Sequence, residues 1–264
     1  MKPYTITPMR MGATNVPSAE VYWMTKLTGW ENIVFWAFLI ENDERRILLN
    51  TGFPEDFQAL HDHWTGWAKS ATGEEGHAPI VDPGNLIQNA LQAKGVRPDQ
   101  IDDVIVTPLT SYATGGLDKF REARIWVSRR GWTDFHAPDP EVPQLPRHIV
   151  FPPHVLQWLV GDGAGRLQLL PDEEMEPIPG IRSWFCGGHH RSSMAFLVET
   201  AKGTVGLTDA IFTYRNIEDG IPLGLSESLE EHYKLFARIR READLVVPLY
   251  DPLVAERHSG GTIG

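Results

Sequence analysis

The sequence predicts an α+β protein: two β-rich halves, each followed by helices, stacked as a two-sheet sandwich with helices on its outer faces. Three observations carry this. The apolar runs "NIVFWAFLI" (32–40) and "RRILLNTG" (45–52) flank the polar turn "ENDE", the pattern of an antiparallel hairpin. A second β-rich half holds "RLQLL", "IRSWFC", "MAFLVET" and "GTVGLTDA" between residues 166 and 210. Helical periodicity follows each half, at 85–96 and again at 226–243.

Taken in order, "NVPSAEVYWMTKLTGW" (15–30) reads as an irregular aromatic lid that brings Trp23 over a pocket. After the hairpin, Phe57, Leu60, Trp64 and Trp67 recur at helical spacing, and 69–84 reads as loop. The segment "NLIQNALQAKGV" is a helix with Gly95 near its end. "DDVIVTPLTSYATGGL" (102–117) is a buried strand running into a glycine-closed turn. After it "LDKFREA" is helical, "RIWVS" is a strand, and 133–165, rich in Pro and His, reads as irregular. The 226–243 helix has Ser228 and Glu231 at capping-box spacing, and "DLVVPLYDP" is the last strand with its loop. The chain reads as one domain over residues 1–264, with insertions at 53–83 and 133–165.

Composition excludes some partners. The net charge of −11 over 264 residues would be repelled by nucleic acid and by anionic membrane surfaces. No run approaches the ~20 apolar residues that span a bilayer, and the N-terminus lacks a signal-peptide core. The single cysteine, Cys186, excludes an intrachain disulfide framework and suits a reducing compartment. The expectation is a cytoplasmic protein with a small-molecule partner, no nucleic acid and no membrane. A homo-oligomer is left open.

Five stretches in order resemble the metallo-β-lactamase superfamily. "ILLNTGFP" is similar to the hairpin strand that usually ends in Asp-Thr-Gly. "VIVTPLTSYATGGL" resembles the strand and loop that carry His-x-His-x-Asp-His. "CGGHHRSSMAFLVET" resembles the Gly-His loop and the strand after it. "VGLTDAIF" and "VVPLYDP" resemble the strand with the bridging Asp and the last strand. The order holds over roughly residues 30–255, and the insert near 53–83 with the final "YDP" looks most like the lactonase-like hydrolase branch. The resemblance implies a four-layer αββα architecture, and one or two zinc-type ions that activate water against a lactone, lactam or thioester carbonyl.

Laid onto that motif, the residues depart from it. The two loop imidazoles become Pro108 and Thr110, the acid becomes Tyr112, and the last His becomes Ala113. Asn50 stands for the Asp of Asp-Thr-Gly, and Tyr250 for the terminal His. His189 and Asp209 remain. A catalytic zinc takes about three protein ligands and a water. No family-type metal site is therefore expected. At most one divalent, zinc-type ion would be held, by His189 and Asp209 with recruits such as His190 or Cys186.

Two functions stay open. In one, the protein is a hydrolase acting on a small ester, lactone or amide with a reduced or absent metal site. His189 would be base or ligand, Asp209 its partner, and Tyr112 and Tyr250 donors to the carbonyl. Thr110, His190, Ser192 and Trp23 would line the substrate pocket. In the other, it is an inactive pseudoenzyme binding a small molecule or protein in that pocket, with the tyrosines filling it. A nucleophilic Ser192 or Ser193 lacks the Gly-x-Ser-x-Gly elbow and reads as turn chemistry. His61 and His63 lie two apart on a helix, roughly 160° apart, and read as edge residues rather than ligands.

Overall fold

The computed structural model describes residues 2–264 and contains two mixed sheets. The strands are β1 (Thr5–Pro17), β2 (Trp30–Glu41), β3 (Arg46–Leu49), β4 (Asp103–Ile105), β5 (Arg124–Ser128), β6 (Leu167–Leu170), β7 (Met175–Ile178), β8 (Ile181–Phe185), β9 (Met194–Thr200), β10 (Gly203–Thr208) and β11 (Leu245–Pro248). The first sheet runs β1 to β6 in chain order, antiparallel across β1–β2–β3 and parallel from β3 to β6. The second has the order β11-β10-β9-β8-β7, antiparallel except for the β10–β11 pair.

Period-two alternation on β9 divides the core. Met194, Phe196 and Val198 enter the main cluster with Phe38, Ile47 and Val104 of the first sheet. Ala195 and Leu197 point the other way, into a second cluster with Leu235, Phe236 and Ile239 of the Leu229–Glu242 helix. The sheets therefore pack on each other with helices outside, the αββα layering expected. Ser228 caps that helix by accepting the Glu231 N–H. Glu231 does not close the box, because its carboxylate accepts the Gly188 N–H at 2.8 Å instead.

Three local expectations are corrected. "LDKFREA" forms only a 3-10 turn over Leu117–Lys119. The 133–165 stretch is not irregular throughout: it holds the end of the Arg129–His136 helix, a turn at Arg147–Val150 and the Pro153–Val160 helix, which opens on a proline whose absent N–H is no loss there. The 15–30 segment starts as the end of β1 and a short helix, Ser18–Val21, before its turn. No helix among the described residues is long and apolar enough to cross a membrane.

Candidate functional site

Two loops meet at the carboxyl ends of β4 and β8. The first leaves β4 at Thr107 and turns at Thr110 into the short Ser111–Thr114 helix. It is held from below by Asn50 and Thr51, just past β3. Asn50, in the left-handed region at φ +64°, pairs its amide with the backbone of Thr107, donating to O at 2.8 Å and accepting from N at 2.9 Å. An aspartate could not donate the first of these. Thr51 donates to Ala113 O at 2.7 Å and accepts from Gly116 N at 3.1 Å.

The second loop is the Gly187-Gly188 turn with His189 and His190. Both glycines have positive φ, and a Cβ on Gly187 would lie 2.0 Å from Glu231 Oε2. The two loops are tied by hydroxyls. Ser192 accepts the Leu109 N–H at 2.8 Å. Thr107 and Ser193 both donate to the fully buried Asp209 carboxylate. Burial pushes the Asp209 carboxyl up to about 7, against the pull of those two hydroxyls.

Above these ties lies a cavity of about 530 Å³. Its floor, where the resemblance would put metal ligands, is aromatic: Phe35 packs against Tyr112 (ring centroids 4.9 Å), Tyr250 (5.4 Å) and Trp64 (5.5 Å). Phe212 stands edge-on to Tyr250 at 4.7 Å and to His189 at 4.9 Å. The Gln58–Thr72 helix supplies the wall with Trp64 and Trp67. The roof opposite comes from the 133–165 stretch through Phe135, Leu145 and Ile149.

The polar groups nearest the aromatic floor are Thr110, Tyr112, Tyr250, His189 and His190. The Thr110 Oγ1 and Tyr250 hydroxyls are buried without a well-formed hydrogen bond, the Tyr112 phenol being the polar group beside both. Burial pushes the Tyr112 phenol up to about 12 and the Tyr250 phenol higher still, so both stay protonated donors at neutral pH. His189 donates from Nδ1 to Leu225 O at 2.9 Å, and burial lowers its pKa, so it is neutral. His190 is pushed down to about 3 by burial and by the neighbouring His189 and Arg191.

The structure thus brings together Thr110, Tyr112, His189, His190 and Tyr250 on one cavity. Asp209 does not reach it and does not touch His189, whose partner is a backbone carbonyl instead. Ser192 lies beneath the surface, fully buried, because its hydroxyl is drawn to Leu109 and His190. Trp23 is 39% exposed and does not line the cavity. Its backbone pairs with Pro222, and Trp67, whose indole donates to Glu20 at 2.8 Å, stands at the cavity instead. His63 also lines the wall, where helix-edge polarity alone gave no pointer to it. Sequence reasoning missed Phe35 and Phe212 as well. Trp64 and Trp67 were visible as a helical stripe, yet such a stripe reads first as core.

No protein-family model matches the chain. An N-acyl homoserine lactonase of Bacillus thuringiensis is 28% identical over 194 residues, which are 72% of this chain and 69% of that protein. A solved N-acyl homoserine lactone hydrolase, with the product N-hexanoyl-L-homoserine bound at its catalytic metal center, superposes with a TM-score of 0.76 at 21% identity over 97% of both chains. A dizinc quorum-quenching lactonase superposes at 0.65 and 11% identity over 99% of this chain and 90% of its own. The fold is that of the metallo-β-lactamase hydrolases. In sequence the chain's similarity runs to N-acyl homoserine lactonases.

Proposed function

We propose that this protein binds a small carbonyl compound (an ester, lactone or amide) in the cavity above His189, and that it does so without the metal centre of its relatives. The donor set supports the second half. A zinc-type ion takes imidazole, thiolate or carboxylate ligands. At the places where the resemblance puts them stand Pro108, Thr110, Tyr112, Ala113 and Tyr250. The two retained groups are committed elsewhere: Asp209 accepts from Thr107 and Ser193, and His189 is turned onto Leu225 O. Among the described residues no three His, Cys, Asp or Glu side chains are grouped to hold a metal. These residues do not fit the ion.

The observation that carries the first half is a pair of buried hydroxyls at the cavity without a well-formed hydrogen bond. A buried polar group without a partner costs about 1–3 kcal/mol. Thr110 Oγ1 and Tyr250 OH both bear that cost beside a cavity large enough for a ligand. A ligand's polar atoms drawn in beside the Tyr112 phenol would complete the hydrogen bonding of these hydroxyls, and the aromatic walls would take its apolar part. The similarity to lactonases gives the carbonyl class.

One observation favours turnover as a second reading: the His189 Nε2 has no protein partner and is free to accept a proton. Its depressed basicity makes it a weak general base at neutral pH, so binding is the stronger reading. The test is a titration with an N-acyl homoserine lactone, followed by the fluorescence of Trp64 and Trp67, with and without prior chelation. Ring opening is followed in parallel by mass spectrometry. Saturable binding indifferent to chelation is expected, with any hydrolysis surviving chelation and lost in His189→Ala. Hydrolysis that chelation abolishes would overturn the proposal.

A further inference from the structure

His189 and His190 are neighbours on one turn, line the same cavity and hold their rings 6.4 Å apart between centroids. Their partners fix opposite tautomers. Leu225 O can only accept, so the His189 Nδ1 at 2.9 Å from it carries the proton, and Nε2 keeps its lone pair. The Ser192 backbone N–H can only donate, and it points at the His190 Nδ1 from 3.1 Å. That nitrogen therefore holds the lone pair, and the proton of the neutral ring sits on Nε2. Ser192 reinforces the choice. Its hydroxyl oxygen already accepts from Leu109 N–H, so its proton is free to turn to His190 Nδ1 at 2.6 Å. Neither Nε2 has a partner in the protein. One wall of the cavity thus carries an acceptor on one ring and a donor on the next, their centroids 6.4 Å apart.

We infer that the head group this wall recognises carries an N–H beside its C=O on one edge, as a lactam, a primary amide or a cyclic imide does. The N–H would donate to His189 Nε2 and the carbonyl accept from His190 Nε2–H. A lactone or ester would set an oxygen lone pair against the lone pair of His189, acceptor facing acceptor. A trans secondary amide points its N–H and C=O in opposite directions and cannot bridge the two rings from one edge. Sites built to hydrogen-bond a substrate N–H reject the analogue lacking it by large factors, because the buried site atom is left unpaired. This selectivity rests on the binding function proposed above and ranks a lactone, the N-acyl homoserine lactone included, as a weaker occupant of the same cavity.

Two measurements test it. Proton–nitrogen correlation spectra of histidine-labelled protein at neutral pH read the tautomers directly. His189 is expected with its proton on Nδ1 and His190 with its proton on Nε2. The same tautomer on both rings, or a charged ring, overturns the inference. Then δ-dodecalactone and the lactam of the same ring and alkyl chain are titrated against the intact protein. The lactam is expected to bind at least about tenfold more tightly, and His189→Leu to bring the ratio close to one. Equal binding, or a preference for the lactone, overturns the inference and leaves the carbonyl pocket standing. Binding of neither, with the N-acyl homoserine lactone also unbound, overturns the pocket's proposed function and this inference with it.

Discussion

Replacing Tyr250 by Phe separates a pocket that awaits a ligand from one simply filled with rings. Tyr250 is 3% exposed, and its ring is fixed by Phe35, Phe212 and Tyr112 at 5.4, 4.7 and 6.0 Å. Phenylalanine keeps all of that packing and removes only the hydroxyl, which makes no well-formed hydrogen bond and has the Tyr112 phenol alone beside it. In the unfolded chain the hydroxyl is hydrated, so folding strips it of water without return. Relief of that cost stabilises the variant by about 1–2 kcal/mol, towards the lower part of the usual range for an orphaned buried group. For a chain of this size that raises the thermal midpoint by about 2–8 °C. Binding of a carbonyl ligand moves the other way, weakening about three- to tenfold as one hydrogen bond is lost. Urea and thermal denaturation give the first quantity, and a fluorescence titration the second. A Tyr250→Phe protein less stable than wild type would refute the argument, since the hydroxyl would then be engaged in the free protein.

Other perturbations have equally definite signs. His232 is fully buried with both ring nitrogens unpartnered, and burial pushes it down to about 3. From about pH 6.5 down to about 3 the unfolded chain takes up a proton that the folded chain refuses. The stability of wild type relative to His232→Leu therefore falls by about 1.4 kcal/mol per pH unit between pH 6 and 4 in urea melts. A pH-independent difference would mean that the ring titrates normally. Gly187→Ala places a methyl at φ +58° and against the Glu231 carboxylate, and should cost more than about 1 kcal/mol and weaken ligand binding by shifting the His189 turn. Unaltered denaturation would show that the turn is not held as described. Trp64 lies nearly parallel to Phe35 on the cavity wall, so Trp64→Phe should keep the fold and remove most of the ligand-dependent fluorescence change. An undiminished signal would place the ligand elsewhere.

Much of the fold was legible because its determinants are local. The ENDE turn between two apolar runs became β2 and β3, and the β-rich run "MAFLVET" became the two-faced β9. Ser228 at the head of a periodic segment became a working cap. Proline misled: around 153 it opens a helix, yet a Pro-rich stretch read from sequence gives no periodicity to follow. In the site, motif position pointed to His189, Tyr112 and Tyr250, and all three line one cavity. Their partners were not legible, because each comes from far along the chain. The Leu225 carbonyl that fixes His189 lies 36 residues on, and the Thr107 hydroxyl that takes up Asp209 lies 102 residues before it. The expected His189–Asp209 pair failed for that reason. Trp23 was expected over the pocket from its irregular segment, yet docking of the Gln58–Thr72 helix brings Trp67 to the cavity instead.

The central claim is a carbonyl-binding pocket that works without a metal ion. Its most direct test is elemental mass spectrometry of protein purified without added metal, on wild type and His189→Ala together, with ligand binding measured on the same samples. Metal far below one ion per chain in both proteins, with wild-type binding intact, is the predicted result. About one zinc-type ion per chain in wild type, lost together with binding in the variant, would contradict it.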